Sequence, residues 1–133
     1  MDYSKLSDFK INSAVFEAIH EGAPDYKEGD DGSMVLLSFE GDVVNGDAVE
    51  VEVERGRFNP CNNAADAWPI ILDMKIGLKP VRWEEWRAEG DDSCGFVSYT
   101  SCNKNPLRAA MIVFLKMQES ANVPANPTGS DIR

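Results

Sequence analysis

The residues best suited to chemistry lie in the run Phe58-Asn59-Pro60-Cys61-Asn62-Asn63-Ala64-Ala65-Asp66-Ala67-Trp68-Pro69-Ile70-Ile71. Asn59, Asn62, Asn63 and Asp66 offer donors and acceptors, and Trp68 offers a flat face for a base or ring, a combination common in small-ligand sites. Arg82, Arg87 and Arg108 can neutralise a phosphate, and the free amides of a helix starting at Asn105 can bind an anion. These nine residues are the expected ligand-binding set, and the ligand they suit is small and anionic or nucleotide-like. The competing reading is that the asparagines cap turns and Trp68 packs in the core.

Catalytic chemistry has less to draw on. His20, the chain's one histidine, falls at the end of an amphipathic segment, where it interacts with the negative end of a helix. Cys61 has no histidine near it in sequence to lower its pKa, so a bland, partly buried thiol is expected. The acid pairs Glu84-Glu85 and Asp91-Asp92 read as solvated surface. No nucleophile elbow, zinc, phosphate-loop or EF-hand spacing is present. No catalytic residue, metal or cofactor is expected.

The elements that must position these groups can be read from pattern. A helix is expected from about Ser7 to His20, with Ile11, Ala14, Val15, Ala18 and Ile19 on one face and a stop at Gly22 and Pro24. Residues 25–32 read as a polar loop. Met34–Phe39 and Val49–Glu54 read as strands, the second with its valines on a dry face and its glutamates on a wet one. A long hairpin connection over Glu40–Asp47 is expected between them. Ile70-Ile71-Leu72 suits a helical turn and Ile76-Gly77-Leu78 a strand, while Val81–Glu89 fits helix or edge strand. Gly95–Thr100 reads as a strand. The clearest helix starts at the cap Asn105 with Pro106 in the first helical position. It carries Leu107, Ala110, Met111, Phe114, Leu115 and Gln118 along one face to about Ser120.

This order predicts an α+β domain over residues 1–122, an antiparallel sheet packed with an N-terminal and a C-terminal helix in two or three layers. Residues 123–133 read as a flexible tail. At 133 residues, 43% hydrophobic and 27% charged, the chain can bury an independent core. It has no apolar run of membrane-spanning length and no signal peptide, so a cytoplasmic location is expected. The three cysteines, Cys61, Cys94 and Cys102, are an odd, scattered set expected to stay reduced.

The net charge of −10 disfavours direct binding to nucleic acid or anionic membrane. It is unevenly spread: residues 1–60 hold fourteen acids against five bases, and the other 73 are nearly neutral.

The order Phe58-Asn59-Pro60 to Asn63, Ala67-Trp68-Pro69-Ile70-Ile71, Ile76-Gly77-Leu78, Trp86-Arg87-Ala88 and Asn105-Pro106-Leu107-Arg108-Ala109-Ala110-Met111 resembles the NinX proteins of lambdoid phages over most of the chain. The N-terminal helix and Pro124 after the last helix fit the same pattern. The resemblance implies a small, phage-encoded accessory protein of unknown activity, acting in the cytoplasm of the bacterial host.

Three classes of function follow. The first is a non-enzymatic binder of a small anionic ligand, with a counter-defence or host-modulation role. The second is an acidic modulator that mimics nucleic-acid charge and docks on a basic host or phage protein. The third is a hydrolase acting on a nucleotide. Three tryptophans and an exposed strand edge also suggest a homo-oligomer.

Overall fold

In a computed structural model the chain is described over residues 2–20, 24–92 and 95–121. The tail expected over 123–133, the helix stop at Gly22 and the thiol of Cys94 lie outside the described residues.

A short 3-10 turn, Tyr3–Lys5, leads into α1, Asp8–Ile19. Helix α1 starts where Ser7 accepts the Lys10 amide, and Asp8 occupies the favourable first turn. At its other end the His20 amide donates to the Phe16 carbonyl and the imidazole packs on the Phe16 ring, centroids 4.4 Å apart.

Strands β1 (Tyr26–Glu28), β2 (Met34–Val44) and β3 (Asp47–Phe58) form one antiparallel sheet in that order. The polar segment 25–32 therefore contributes a strand where a loop is expected. Strands β2 and β3 also continue through the expected long connection and close on a two-residue turn. Asn45 and Gly46 have φ of 52° and 83°, the left-handed pair that a type I′ turn requires and that Asn-Gly adopts at little cost.

The wet and dry faces expected for β3 are not realised. Val49 and Val51 are 37% and 38% exposed, because β3 pairs only with β2 and β1 reaches no farther along β2 than Leu36. Beyond that point the hairpin is a bare two-stranded ribbon.

After α2 (Ala64–Asp73), a second antiparallel sheet is built from β4 (Gly77–Pro80), β5 (Trp86–Asp91) and β6 (Ser98–Asn103). Trp86 thus lies on a strand, whereas Trp83 sits in the β4–β5 turn at φ 49°, almost fully exposed. Strand β6 starts three residues later than expected, because Gly95 takes the left-handed conformation and Phe96 donates its amide to Asp92 in a turn.

Helix α3, Pro106–Ala121, starts as expected, with Asn105 Oδ1 accepting the amides of Leu107 and Arg108. Its burial is not one-sided. Ala109 through Leu115 are all buried, since α3 packs on β5 and β6 on one side and on α1 and α2 on others. A helix apolar all round belongs inside a fold. The α+β class and the terminal helices are as expected, with the strands divided between two sheets.

Gly90 lets α3 approach β5: a Cβ there would lie 2.7 Å from Met117 Sδ and 3.0 Å from Val113 Cγ1. Gly90→Val is expected to destabilise by about 1–3 kcal/mol through overpacking. Gly41→Ala on the open ribbon is expected to change stability by less than about 0.5 kcal/mol. Equal shifts of the urea midpoint for the two would refute this packing.

Candidate functional site

The asparagine run folds as a tight turn leading into a helix. Asn62 and Asn63 donate their amides to the Asn59 carbonyl at 3.1 and 2.7 Å. Asn63 caps α2 by accepting the Ala65 amide, and Asp66 in the first turn accepts the Asn59 amide at 2.9 Å. Sequence separation of seven thus becomes a closed loop.

Beneath the loop lies Asn12 of α1, with no exposed surface. Its Nδ2 donates to Asn59 Oδ1 at 2.8 Å and to the Gly32 carbonyl at 3.0 Å, and its Oδ1 accepts the Cys61 amide at 3.1 Å. From the other side Asn105 Nδ2 donates to the Cys61 carbonyl and to Asn62 Oδ1. One amide network therefore joins α1, the turn before β2, the loop and the start of α3.

Arg108 is committed to the same framework. Its guanidinium donates to Asp8 Oδ1 at 2.6 Å and to the carbonyls of Leu6 and Ser4. Only 13% of its side chain is exposed. Asp8 also accepts from Asn62 Nδ2 at 2.9 Å.

Among the nine nominated residues, Asn59, Asn62, Asn63 and Asp66 line one polar cleft of about 490 Å³, completed by Asp8, Asp31, Ser33 and Arg57. Asn105 and Arg108 do not line it but each bonds a residue that does, Asn62 and Asp8 respectively. Trp68 projects from α2, half exposed, and neither packs in the core nor lines the cleft. Arg82 and Arg87 belong to the second sheet, in the β4–β5 turn and on β5, where Arg87 pairs with Glu89, and neither lines the cleft.

The cleft's charge differs from what the nominated arginines suggest. Three carboxylates face one guanidinium, Arg57, which itself pairs with Glu54 and Asp31. Hydrogen bonds from the Ser33 hydroxyl and amide hold the exposed Asp31 carboxyl below its ordinary range, with the nearby Arg57 contributing less. A cationic or donor-rich group is the better match to such a lining.

Cys61 is fully buried, and its thiol is pushed up to about 12, first by burial and then by the Asp8 carboxylate, with Arg108 opposing. It is a neutral packing group. Asp8 and Arg57 as lining of this cleft, and Asn12 as the buried support beneath it, were not legible from the loop alone. The one local signal was Asn12 itself, a polar residue between Ile11 and Val15 on the buried side of an amphipathic helix.

Asn12→Ala would take the side-chain partner from the Cys61 amide and the Gly32 carbonyl and leave Asn59 Oδ1 with Asn62 Nδ2 alone, so a stability loss of about 3 kcal/mol is expected in urea denaturation. In a Cys94→Ser background, Cys102 should react with a thiol reagent in the folded chain and Cys61 only after unfolding. The folded chain holds the Cys61 proton to about 12, whereas an ordinary thiol releases it near 9.0. Stability from burying the neutral thiol is therefore full below pH 9.0 and lost as pH rises through 12. A flat stability profile across that window, once compared with Cys61→Ala, would contradict the assignment.

Among the described residues no helix is long and apolar enough to cross a membrane, and no cluster of three or more potential metal ligands is present. No curated protein and no solved structure gives a significant match to the chain. The family model described as bacteriophage P22 NinX matches residues 2–118, from the turn before α1 almost to the end of α3. The match spans the loop, both sheets and all three helices, and the chain belongs to the NinX family of bacteriophage P22.

Proposed function

We propose that this NinX-family chain is a non-enzymatic phage accessory protein that docks on a basic host or phage protein through the β2–β3 ribbon. The observation that carries this reading is the ribbon's composition and exposure. Residues 38–54 hold Glu40, Asp42, Asp47, Glu50, Glu52 and Glu54 and no lysine or arginine.

The register sets out how these acids are displayed. Cross-strand partners share a face, so Val49, Val51 and Val53 stand opposite Asp42, Glu40 and Ser38 on one face. On the other, Phe39 and Val43 stand opposite Glu52 and Ala48. Each face presents an apolar row beside an acidic one.

Near the body the charges are balanced: Glu40 pairs with Arg55, Glu52 with Lys27 and Glu54 with Arg57. Towards the tip, Asp42, Asp47 and Glu50 have no ion-pair partner among the described residues. A long strand edge with such charges repels its own copy and attracts a basic surface. It can serve as a charge mimic of nucleic acid on a protein that binds nucleic acid.

Reception of a small anion has weaker support. Arg108 is spent on Asp8 and two carbonyls, and the cleft sets three carboxylates against one guanidinium.

The test is capture from infected-host lysate by the full chain and by an Asp42→Asn, Asp47→Asn, Glu50→Gln variant, whose changes are all at exposed positions. A discrete polypeptide should bind the wild type, be released as salt rises past about 0.2–0.5 M, and bind the variant at least about tenfold less. Equal recovery by both proteins, or retention indifferent to salt, would remove the ribbon from this role.

A further inference from the structure

Helix α2 has two apolar faces, and the fold covers one of them. Ala67, Ile70 and Ile71 are buried in the core. Ala65, Trp68, Pro69 and Leu72, at the spacing i, i+3, i+4 and i+7, form a second stripe that is exposed, with Trp68 at 51% and Leu72 at 59%. A helix with apolar residues this far around is ordinarily enclosed.

The exposed stripe runs into a groove of about 590 Å³. Its lining includes Phe58, Ile70, Met74 and Phe114, with Asp66 and Asp73 as the charged groups and no lysine or arginine. Pro69, on the groove wall, has no amide hydrogen to give the Ala65 carbonyl, so this acceptor lacks its helical donor.

We infer that the outer face of α2 and the adjoining groove receive the apolar face of an amphipathic basic helix from a partner protein. The groove accepts the apolar anchors, as in helix-in-groove recognition. Lysine or arginine flanking those anchors meets Asp66 and Asp73. A second copy of this chain is a poorer occupant, because a symmetric contact would set the same carboxylates of two chains of charge −10 against each other. The surface is separate from the β2–β3 ribbon, and the inference stands whether or not the ribbon docks a partner.

The probe is a leucine/lysine amphipathic peptide of about five helical turns, with a leucine/glutamate peptide of the same pattern as control. Binding to the full chain is followed by calorimetry and tryptophan fluorescence. Wild type and the ribbon variant should bind the lysine peptide alike, Leu72→Glu should bind it at least about tenfold more weakly, and the glutamate peptide should not bind. Leu72 is exposed, so its substitution leaves the core intact. Undiminished binding by Leu72→Glu would overturn the inference, as would loss confined to the ribbon variant. A native mass of two chains that reverts to one in Leu72→Glu would overturn it in favour of a second copy.

Discussion

The structure depends on the burial of one carboxamide. Asn12 has no exposed surface, and taking its amide out of water is tolerable only because both ends of the group are bonded. The three groups that satisfy it come from two distant segments: the Gly32 carbonyl in the turn before β2, and Asn59 Oδ1 with the Cys61 amide in the loop. Asn105 closes the same network from the start of α3, and the Arg108 to Asp8 pair holds α3 to α1 beside it. The asparagine-rich loop is thus first a joint between helices, and the cleft is the part of that joint left open to solvent. Among the described residues no buried side-chain nitrogen or oxygen lacks a partner.

The other organising element is α3. Its apolar circumference lets the second sheet lie on one side and α1 and α2 on the others, so a small chain gathers its core around one helix. The core then has little left to cover. Strand β3 gains no helix against its outer end, and α2 contributes one face to the core while the other stays open. The two exposed apolar surfaces follow from how few elements surround α3.

Charge gives these surfaces a common sign. The acidic excess of residues 1–60 is concentrated on the ribbon, the cleft has three carboxylates to one guanidinium, and Asp66 and Asp73 edge the groove. The free cations expected near the loop are elsewhere or engaged: Arg82 and Arg87 on the second sheet, Arg108 in an ion pair. Apolar rows flanked by carboxylates are complementary to a surface of the opposite pattern, and the proposed basic partner rests on that complementarity.

What the sequence by itself determined was mostly local. Ser7 and Asn105 with Pro106 mark the starts of α1 and α3 because caps satisfy amides within three residues, and the Val-Glu alternation of β3 gives its period because neighbouring side chains must point to opposite faces. The combination of motifs from Phe58 to Met111 pointed to the family for the same reason, since each is a short local signature. Only the tertiary structure decided which faces are covered. The valines of β3 and the stripe of Trp68 and Leu72 are patterned for burial yet lie open, and α3, patterned for one face, is enclosed on all from Ala109 to Leu115. Burial depends on which elements arrive from far along the chain, and no period in a segment records its neighbours. The asparagines likewise became a joint because Asn12, forty-seven residues before Asn59, supplied the amide that their loop closes over.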